Sequence, residues 1–250
     1  MKESVYDNYI SHLSIDCVVF GFEERELKVL IAKFKFGNGS WTLPGGYINK
    51  NESIDAAAQR ILKNRTRLDN VYLEQFRVFG NENRIAKSRY KDVLKEQLNK
   101  FDDQRFNDRV LEWMTSRFVS IGYYALVEIN KVNPQPGEFD EYLEWRSVKD
   151  IPEMIHDHAE ILTYALEALR QDLDKKLIGF NLLPETFTIR EVQHLYEAVY
   201  DRPFAINNFQ KKIMDLNVLE RLHKKFTGAA NTAPYLYRFK KTGINLEQEA

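Results

Sequence analysis

Residues 45–68, GGYINKNESIDAAAQRILKNRTRL, place a glycine turn before a helix whose polar positions could do chemistry only if their types suited it. Two adjacent glycines, Gly45 and Gly46, permit a sharp strand-to-helix turn. Glu52 and Arg60 follow, spaced to pair across a loop and a helix, and then Ile61, Asn64 and Arg65 stand at i, i+3 and i+4. Those three positions share one helix face, so carboxylates there would converge on a divalent cation such as magnesium, which takes hard oxygen ligands. This chain offers an apolar side chain, a neutral amide and a cation. Arg65 repels a metal, and without one nothing polarises a phosphate or activates water. No catalytic residue, metal or cofactor is therefore expected.

A second set of chemically suggestive residues lies near the C-terminus. Residues 202–241 hold nine Lys or Arg against two acids, a local +7 in a chain of net charge −1. Such a block suggests an anionic partner; the bland alternative is a solvated basic surface. In AINNFQKKIMDL the apolar residues Ile206, Phe209, Ile213 and Leu216 recur at core spacing, which leaves Asn207, Asn208, Gln210, Lys211 and Lys212 on the other face. Side-chain amides make bidentate contacts to adenine, and lysines contact guanine or phosphate. Arg190, Lys224, Lys225 and Arg238 are phosphate candidates, each with plain surface charge as its alternative.

His156 and His158 flank Asp157, but no cysteine or third histidine stands near them, so a structural role at a helix start is expected over a metal site. The Ser and His residues show no triad arrangement. Cys17 lies in an apolar run without a partner, which excludes an intrachain disulfide and points to a buried thiol. No run of about 18 apolar residues occurs, so no membrane span is expected. The simple expectation is a cytoplasmic protein.

The elements that must position these residues are readable from the pattern of apolar positions. HLSIDCVVFGF and LKVLIAKFKF read as strands joined by the turn EERE, and WTLPGG as a short strand ending in the glycine turn. Residues 53–65 read as a helix with Asn51 or Ser53 as its cap. VYLEQFRVFG and RFVSIGYYALVEI read as strands, NPQPGE as a loop, and IPEMIHDHAEILTYALEALRQDLDKK as one long amphipathic helix. The first domain, residues 1–178, is thus a mixed α/β (α+β) unit, and residues 179–250 form a second. In the second, REVQHLYEAV and AINNFQKKIMDL read as helices, followed by a hairpin ending in YLYRFKK, a winged-helix pattern. The charged stretch 81–116 interrupts the first domain. Its Arg84, Lys87, Arg89 and Lys91 offer either DNA contacts or a dimer surface.

The stretch from Gly46 to Leu68 resembles the signature of Nudix hydrolases, matching at Gly46, Glu52, Arg60, Leu62 and Leu68. It departs at Ile61, Asn64 and Arg65, where the signature has glutamates, and at Arg67, where it has glycine. With NNFQKKI and LYRF in the second domain, and SIDCVVFGF, WTLPGGYI and DHAEILTYALEALR in the first, the chain resembles Nudix-related transcriptional regulators of the NrtR-like family. That resemblance implies a Nudix-like α/β/α sandwich with a mixed sheet, followed by a C-terminal winged helix-turn-helix domain. It also implies a homodimer that represses transcription from double-stranded operator DNA and releases it on binding a small effector. The arabinose-responsive branch looks nearest, which implies a sugar-catabolism regulator with L-arabinose as effector. The alternatives are an NAD-metabolism regulator sensing ADP-ribose, a Nudix pyrophosphohydrolase with an accessory domain, and a module that binds a protein through its basic domain.

The expected effector pocket flanks the glycine turn, at Asp16, Lys33, Trp41, Leu43, Gly45, Gly46 and Tyr124. Asp16 interrupts an apolar strand and offers a carboxylate to paired hydroxyls, or a structural hydrogen bond. Trp41 and Tyr124 offer a sugar face, or simply core. Lys33 faces either the pocket or solvent.

Overall fold

The computed structural model describes residues 5–35, 40–84, 96, 108–225 and 233–240. Strand β1 (Tyr9–Glu23) is long because its Ile, Val and Phe run has partners on every side. It forms a hairpin with β2 (Glu26–Phe34), Val19 opposite Leu30 and Glu23 opposite Glu26. Glu24 and Arg25, both at positive φ (53° and 65°), make the turn, a twist that suits a two-residue hairpin. The short β3 (Trp41–Thr42) pairs with β2, and β4 (Gly45–Asn49) pairs with the first half of β1. Strand β5 (Tyr72–Phe79) lies antiparallel to β6 (Val119–Val127), which runs parallel to β1 from Leu13↔Val119 to Gly21↔Val127. A seventh strand, β7 (Asp140–Ser147), completes the mixed sheet against β2. Sequence reading missed β7. Its charges at Asp140, Glu141, Glu144 and Arg146 hide the two-residue period, as edge positions allow.

The sheet's alternation sends side chains to two layers of helix. Ile15, Cys17 and Val19 of β1 with Ile121, Tyr123 and Ala125 of β6 meet α1 (Ile54–Thr66) at Ala57, Ala58, Ile61 and Leu62. Val18, Phe20, Tyr124 and Leu126 face the other way, with Ile161, Leu162, Ala165 and Leu169 of a long helix. Ser53 caps α1 by accepting the Ala56 N–H at 3.2 Å. A short helix, α2 (Asp108–Met114), precedes β6. The long helix, α3, spans His158–Lys175, so it starts later than the sequence suggested. Residues 153–155 bond to Trp41 instead, Trp41 N–H to Glu153 O at 3.3 Å and Ile155 N–H to Trp41 O at 2.9 Å. Pro152 also disfavours helix just before it.

A 3-10 turn, Ile178–Leu182, leads into the second unit. Helix α4 (Ile189–Tyr200) opens with a capping box, Thr188 accepting from Glu191 N–H and the Glu191 carboxylate accepting from Thr188 N–H. Helix α5 (Ile206–Asp215) follows at a turn held by Gln193 Nε2 donating to Phe204 O at 2.8 Å and Phe204 N–H to Glu197 at 2.9 Å. Strands β8 (Leu219–Lys224) and β9 (Tyr235–Phe239) form an antiparallel wing, tied to the start of the unit by reciprocal Phe187–Tyr237 backbone bonds. The expected four-residue apolar stripe of α5 is only half buried. Phe209 and Ile213 are in the core, Phe209 against Tyr196 and Phe204, whereas Ile206 (43%) and Leu216 (39%) are exposed. The two units share core: α4 lies against β2 and α3, Arg170 Nε donates to Val199 O at 2.7 Å, and Lys149 pairs with Asp201. No helix of the described residues is long and apolar enough to cross a membrane.

Candidate effector cavity and nucleic-acid interface

A cavity of about 460 Å³ opens beside the glycine turn, lined from β1, β4, α1, α2 and the loop before β7. Gly45 is required there: a Cβ would fall 2.7 Å from Ile15 O and 2.8 Å from an Asp16 oxygen. On one wall Arg60 binds Glu52 through two bonds, Nε to Oε2 at 2.9 Å and Nη2 to Oε1 at 2.6 Å, and donates to Tyr47 O at 2.8 Å. That guanidinium, together with the Asn49 donors, lowers the Glu52 pKa to about 2. The three positions of the degenerate motif diverge. All three border the cavity, Ile61 as a buried apolar side chain packed against Gly46, Asn64 and Arg65 as polar ones. Arg65 Nη1 donates to Asp140 Oδ2 at 2.5 Å and Nη2 to Gly45 O at 3.2 Å. A cation thus holds the place that a divalent metal would need, and the residues present do not fit one. Among the described residues no group of three His, Cys, Asp or Glu is placed to hold a metal ion.

The far wall is a polar network at the start of α3. Arg84 donates to Asp157 Oδ2 at 2.6 Å and to Phe118 O at 3.1 Å, and reaches Asp16 Oδ2 at 3.4 Å. Ser120 Oγ donates to the same Asp16 oxygen at 2.5 Å. Asp16 therefore borders the cavity, but its carboxylate is engaged by protein groups. His158 is fully inside; its Nδ1 accepts the Leu43 N–H at 2.9 Å, and burial lowers its pKa. Of the HDH sequence, His156 and His158 line the cavity, and Asp157, at the N-cap position of α3, binds Arg84 in place of a helix N–H.

The remaining wall is aromatic. Tyr47 and Trp113 lie 4.6 Å apart between ring centroids, Trp113 and Phe118 5.2 Å, and Tyr9 and Tyr47 5.3 Å. Trp113 belongs to α2, within the interrupting stretch 81–116. Sequence reading did not select Trp113 or Arg65 for this site, and it placed Arg84 at DNA or a dimer surface. The correction has a physical cause: Arg84 is 10% exposed and held by two carboxylates inside the first domain. Lys87, Arg89 and Lys91 lie outside the described residues.

Of the seven expected pocket residues, Asp16, Leu43, Gly45 and Gly46 line this cavity, and Lys33, Trp41 and Tyr124 do not. Trp41 is 7% exposed, packed edge-on to Tyr142 with the Lys33 ammonium 4.7 Å from its ring centre. Strand alternation sends Tyr124 to the α3 layer, where its hydroxyl donates to Asp172 at 2.9 Å. Cys17 is buried, and desolvation raises its thiol pKa to about 12.

In the second unit α5 presents Asn207, Asn208, Gln210, Lys211 and Lys212, all exposed, opposite buried Phe209 and Ile213. Lys212 sits 5.9 Å from the Tyr196 ring centre. On the wing, Lys225 pairs with Glu191 at 2.9 Å, Arg238 pairs with Glu220 at 2.9 Å, and Lys224 sits 5.5 Å from the Tyr235 ring centre. Arg190 is exposed in the first turn of α4.

Comparison with known proteins agrees with this architecture. The NUDIX domain family model matches residues 10–165, and the model of the NrtR DNA-binding winged helix domain matches residues 179–239. An ADPR responsive transcriptional repressor NtrR of Acinetobacter baylyi is 24% identical over 233 residues, covering 91% of this chain and 81% of that one. The structure of Shewanella oneidensis NrtR complexed with a 27mer DNA superposes with a TM-score of 0.67 at 24% identity, over 92% of this chain and 94% of that one. A MutT/nudix family protein from Enterococcus faecalis superposes with a TM-score of 0.63 at 19% identity, over 92% and 88%. The Nudix match spans more than half of the chain and the winged-helix match follows it directly, so this chain belongs to the Nudix family, in the NrtR-like group that joins a Nudix domain to a DNA-binding winged helix.

Proposed function

We propose that this protein is a transcriptional repressor that binds operator DNA as a homodimer through α5 and the wing, and leaves it when ADP-ribose enters the Nudix cavity. The observation that carries this reading is the pairing of two surfaces in one chain. An exposed amide-and-lysine face stands on the second helix of the winged unit, and a cavity with arginines and clustered aromatic rings stands in the first. Amide and lysine side chains suit base edges and phosphates. Arginines suit a diphosphate, and aromatic rings suit a base.

The ADP-ribose reading replaces the L-arabinose expectation. At about 460 Å³ the cavity falls in the usual range for small-molecule sites and exceeds what one pentose fills. The Asp16 carboxylate, offered to sugar hydroxyls, already accepts from Ser120 and Arg84 at Oδ2. The Acinetobacter relative is described as ADPR responsive. The effector is bound without hydrolysis in this reading, since Ile61, Asn64 and Arg65 stand where metal-binding carboxylates would be needed.

Fluorescence anisotropy with labelled DNA from the protein's own upstream region tests it. ADP-ribose weakens binding at least tenfold, a coupling of about 1.4 kcal/mol, and L-arabinose leaves it unchanged. The Trp113→Ala variant binds the same DNA but loses the ADP-ribose response. Release by L-arabinose and not by ADP-ribose would restore the sugar reading, and release of AMP from ADP-ribose would make the protein an enzyme.

A further inference from the structure

The NrtR-like function just proposed leaves open how a cavity without metal ligands holds a diphosphate. We infer that the Arg65 guanidinium is the phosphate-binding group of this cavity and takes the part of a divalent cation, so that effector binding needs no metal. The inference rests on the ADP-ribose reading and names the residue on which that reading turns.

Four observations converge on Arg65. It lies at one of the three positions whose face would gather metal ligands, on the cavity side of α1. Its surroundings are those of a hard cation, with the Gly45 carbonyl at 3.2 Å and the Asp140 carboxylate at 2.5 Å. The backbone has made room for it, since a Cβ on Gly137 would stand 1.9 Å from Nη1 and 2.4 Å from Cζ. The loop that carries Gly137 is strapped to the end of α1 by Gln135 N–H to Arg65 O at 2.8 Å and Asn133 N–H to Thr66 O at 3.0 Å.

A guanidinium carries five donors, and the two bonds above orient it without exhausting them. With a side-chain exposure of 16%, it is largely covered yet lines the cavity. Its charge is permanent, and its planar fork matches two phosphate oxygens. Asp140 is the positioning partner, fixed in turn by the Gly137 N–H at 2.8 Å. A magnesium ion would meet this cation directly, so the same residue that binds phosphate excludes the metal.

The test is calorimetry on the full chain with ADP-ribose and, separately, with inorganic pyrophosphate, each in EDTA and in magnesium. Expected for the wild type are dissociation constants that agree within twofold between the two buffers. Arg65→Gln weakens both ligands at least tenfold and Arg65→Lys does so less, while adenosine binding stays unchanged. The double variant Arg65→Gln/Asp140→Asn removes the stranded carboxylate, and an unchanged melting temperature shows that it is folded. It keeps the loss of phosphate binding. Binding that requires magnesium, or that survives Arg65→Gln, overturns the inference. Arg65-dependent pyrophosphate binding without ADP-ribose binding upholds the anion site and overturns the effector reading. Binding of neither ligand overturns both.

Discussion

The imidazole Nδ1 of His158 accepts the backbone N–H of Leu43 at 2.9 Å, joining the first residue of α3 to the strand that leads into the glycine turn. The acceptor must be an unprotonated nitrogen, so this contact exists only while the ring is neutral. Nε2 then carries the hydrogen and faces Asp16 Oδ1 at 3.7 Å. One buried ring, at the first position of α3, therefore lies between Leu43 and the cavity's Asp16–Arg84 network.

This contact makes stability depend on pH near neutrality. The unfolded chain takes up a proton at an ordinary histidine pKa of about 6.5, whereas burial holds the folded His158 below that value. Folding is therefore most stable above about pH 6.5 and weakens as pH falls, because the unfolded state gains protons that the folded state refuses. The slope for one such group approaches 1.36 kcal/mol per pH unit. Urea unfolding at pH 7.5 and 5.5 should show this loss, and it should shrink in His158→Gln, where the other histidines remain. A variant with the wild-type pH dependence would remove His158 as its source.

Arg67 closes α1 in the left-handed region, at φ 60°, with its N–H donating to Lys63 O at 2.8 Å. The motif it departs from has glycine there, the residue that adopts this conformation without a Cβ penalty. Arg67→Gly should stabilise the protein by about 0.5–1 kcal/mol, a rise of roughly 2 °C in Tm for a chain of this size. A lower Tm would show that the Arg67 side chain contributes more than the strain costs.

On the DNA face, the cations differ in what already holds them. Arg238 and Lys225 are paired with Glu220 and Glu191, whereas Lys211 projects from the exposed side of α5. Lys211→Ala should weaken operator binding and reduce the slope of log K against log salt by about 0.9. Arg238→Ala should have the smaller effect, since the wild-type cation must first leave its carboxylate. Anisotropy titrations between 50 and 200 mM salt measure both, and equal slopes for wild type and Lys211→Ala would take Lys211 off the phosphates.

Much of the fold was legible because it is written in short range. Glu52 and Arg60 are eight residues apart, Ser53 caps the helix it precedes, and Thr188 with Glu191 forms a box within one turn. The apolar runs of β1 and β6 identified both strands. Of the residues expected beside the glycine turn, Leu43, Gly45 and Gly46 line the cavity. The errors fall where a local signal carried two meanings. Trp41 and Tyr124 are large, aromatic and on strands, which describes a core residue as well as a ligand platform. Strand β7 was hidden by charges that an edge position tolerates.

The sequence by itself determined the architecture, the loss of the metal-binding carboxylates and the two-faced character of α5, all of which depend on residue type and spacing along one element. Only the tertiary structure decided which side chains share the cavity. Arg65 meets Asp140 across 75 positions, Arg84 meets Asp157 across 73, and His158 meets Leu43 across 115. No periodicity encodes such meetings, because they arise when the sheet brings distant segments to one end and leaves buried charges to find partners there. That is why Arg65 reads in the sequence only as a lost glutamate, and in the folded protein as a cation held in a cradle of oxygens.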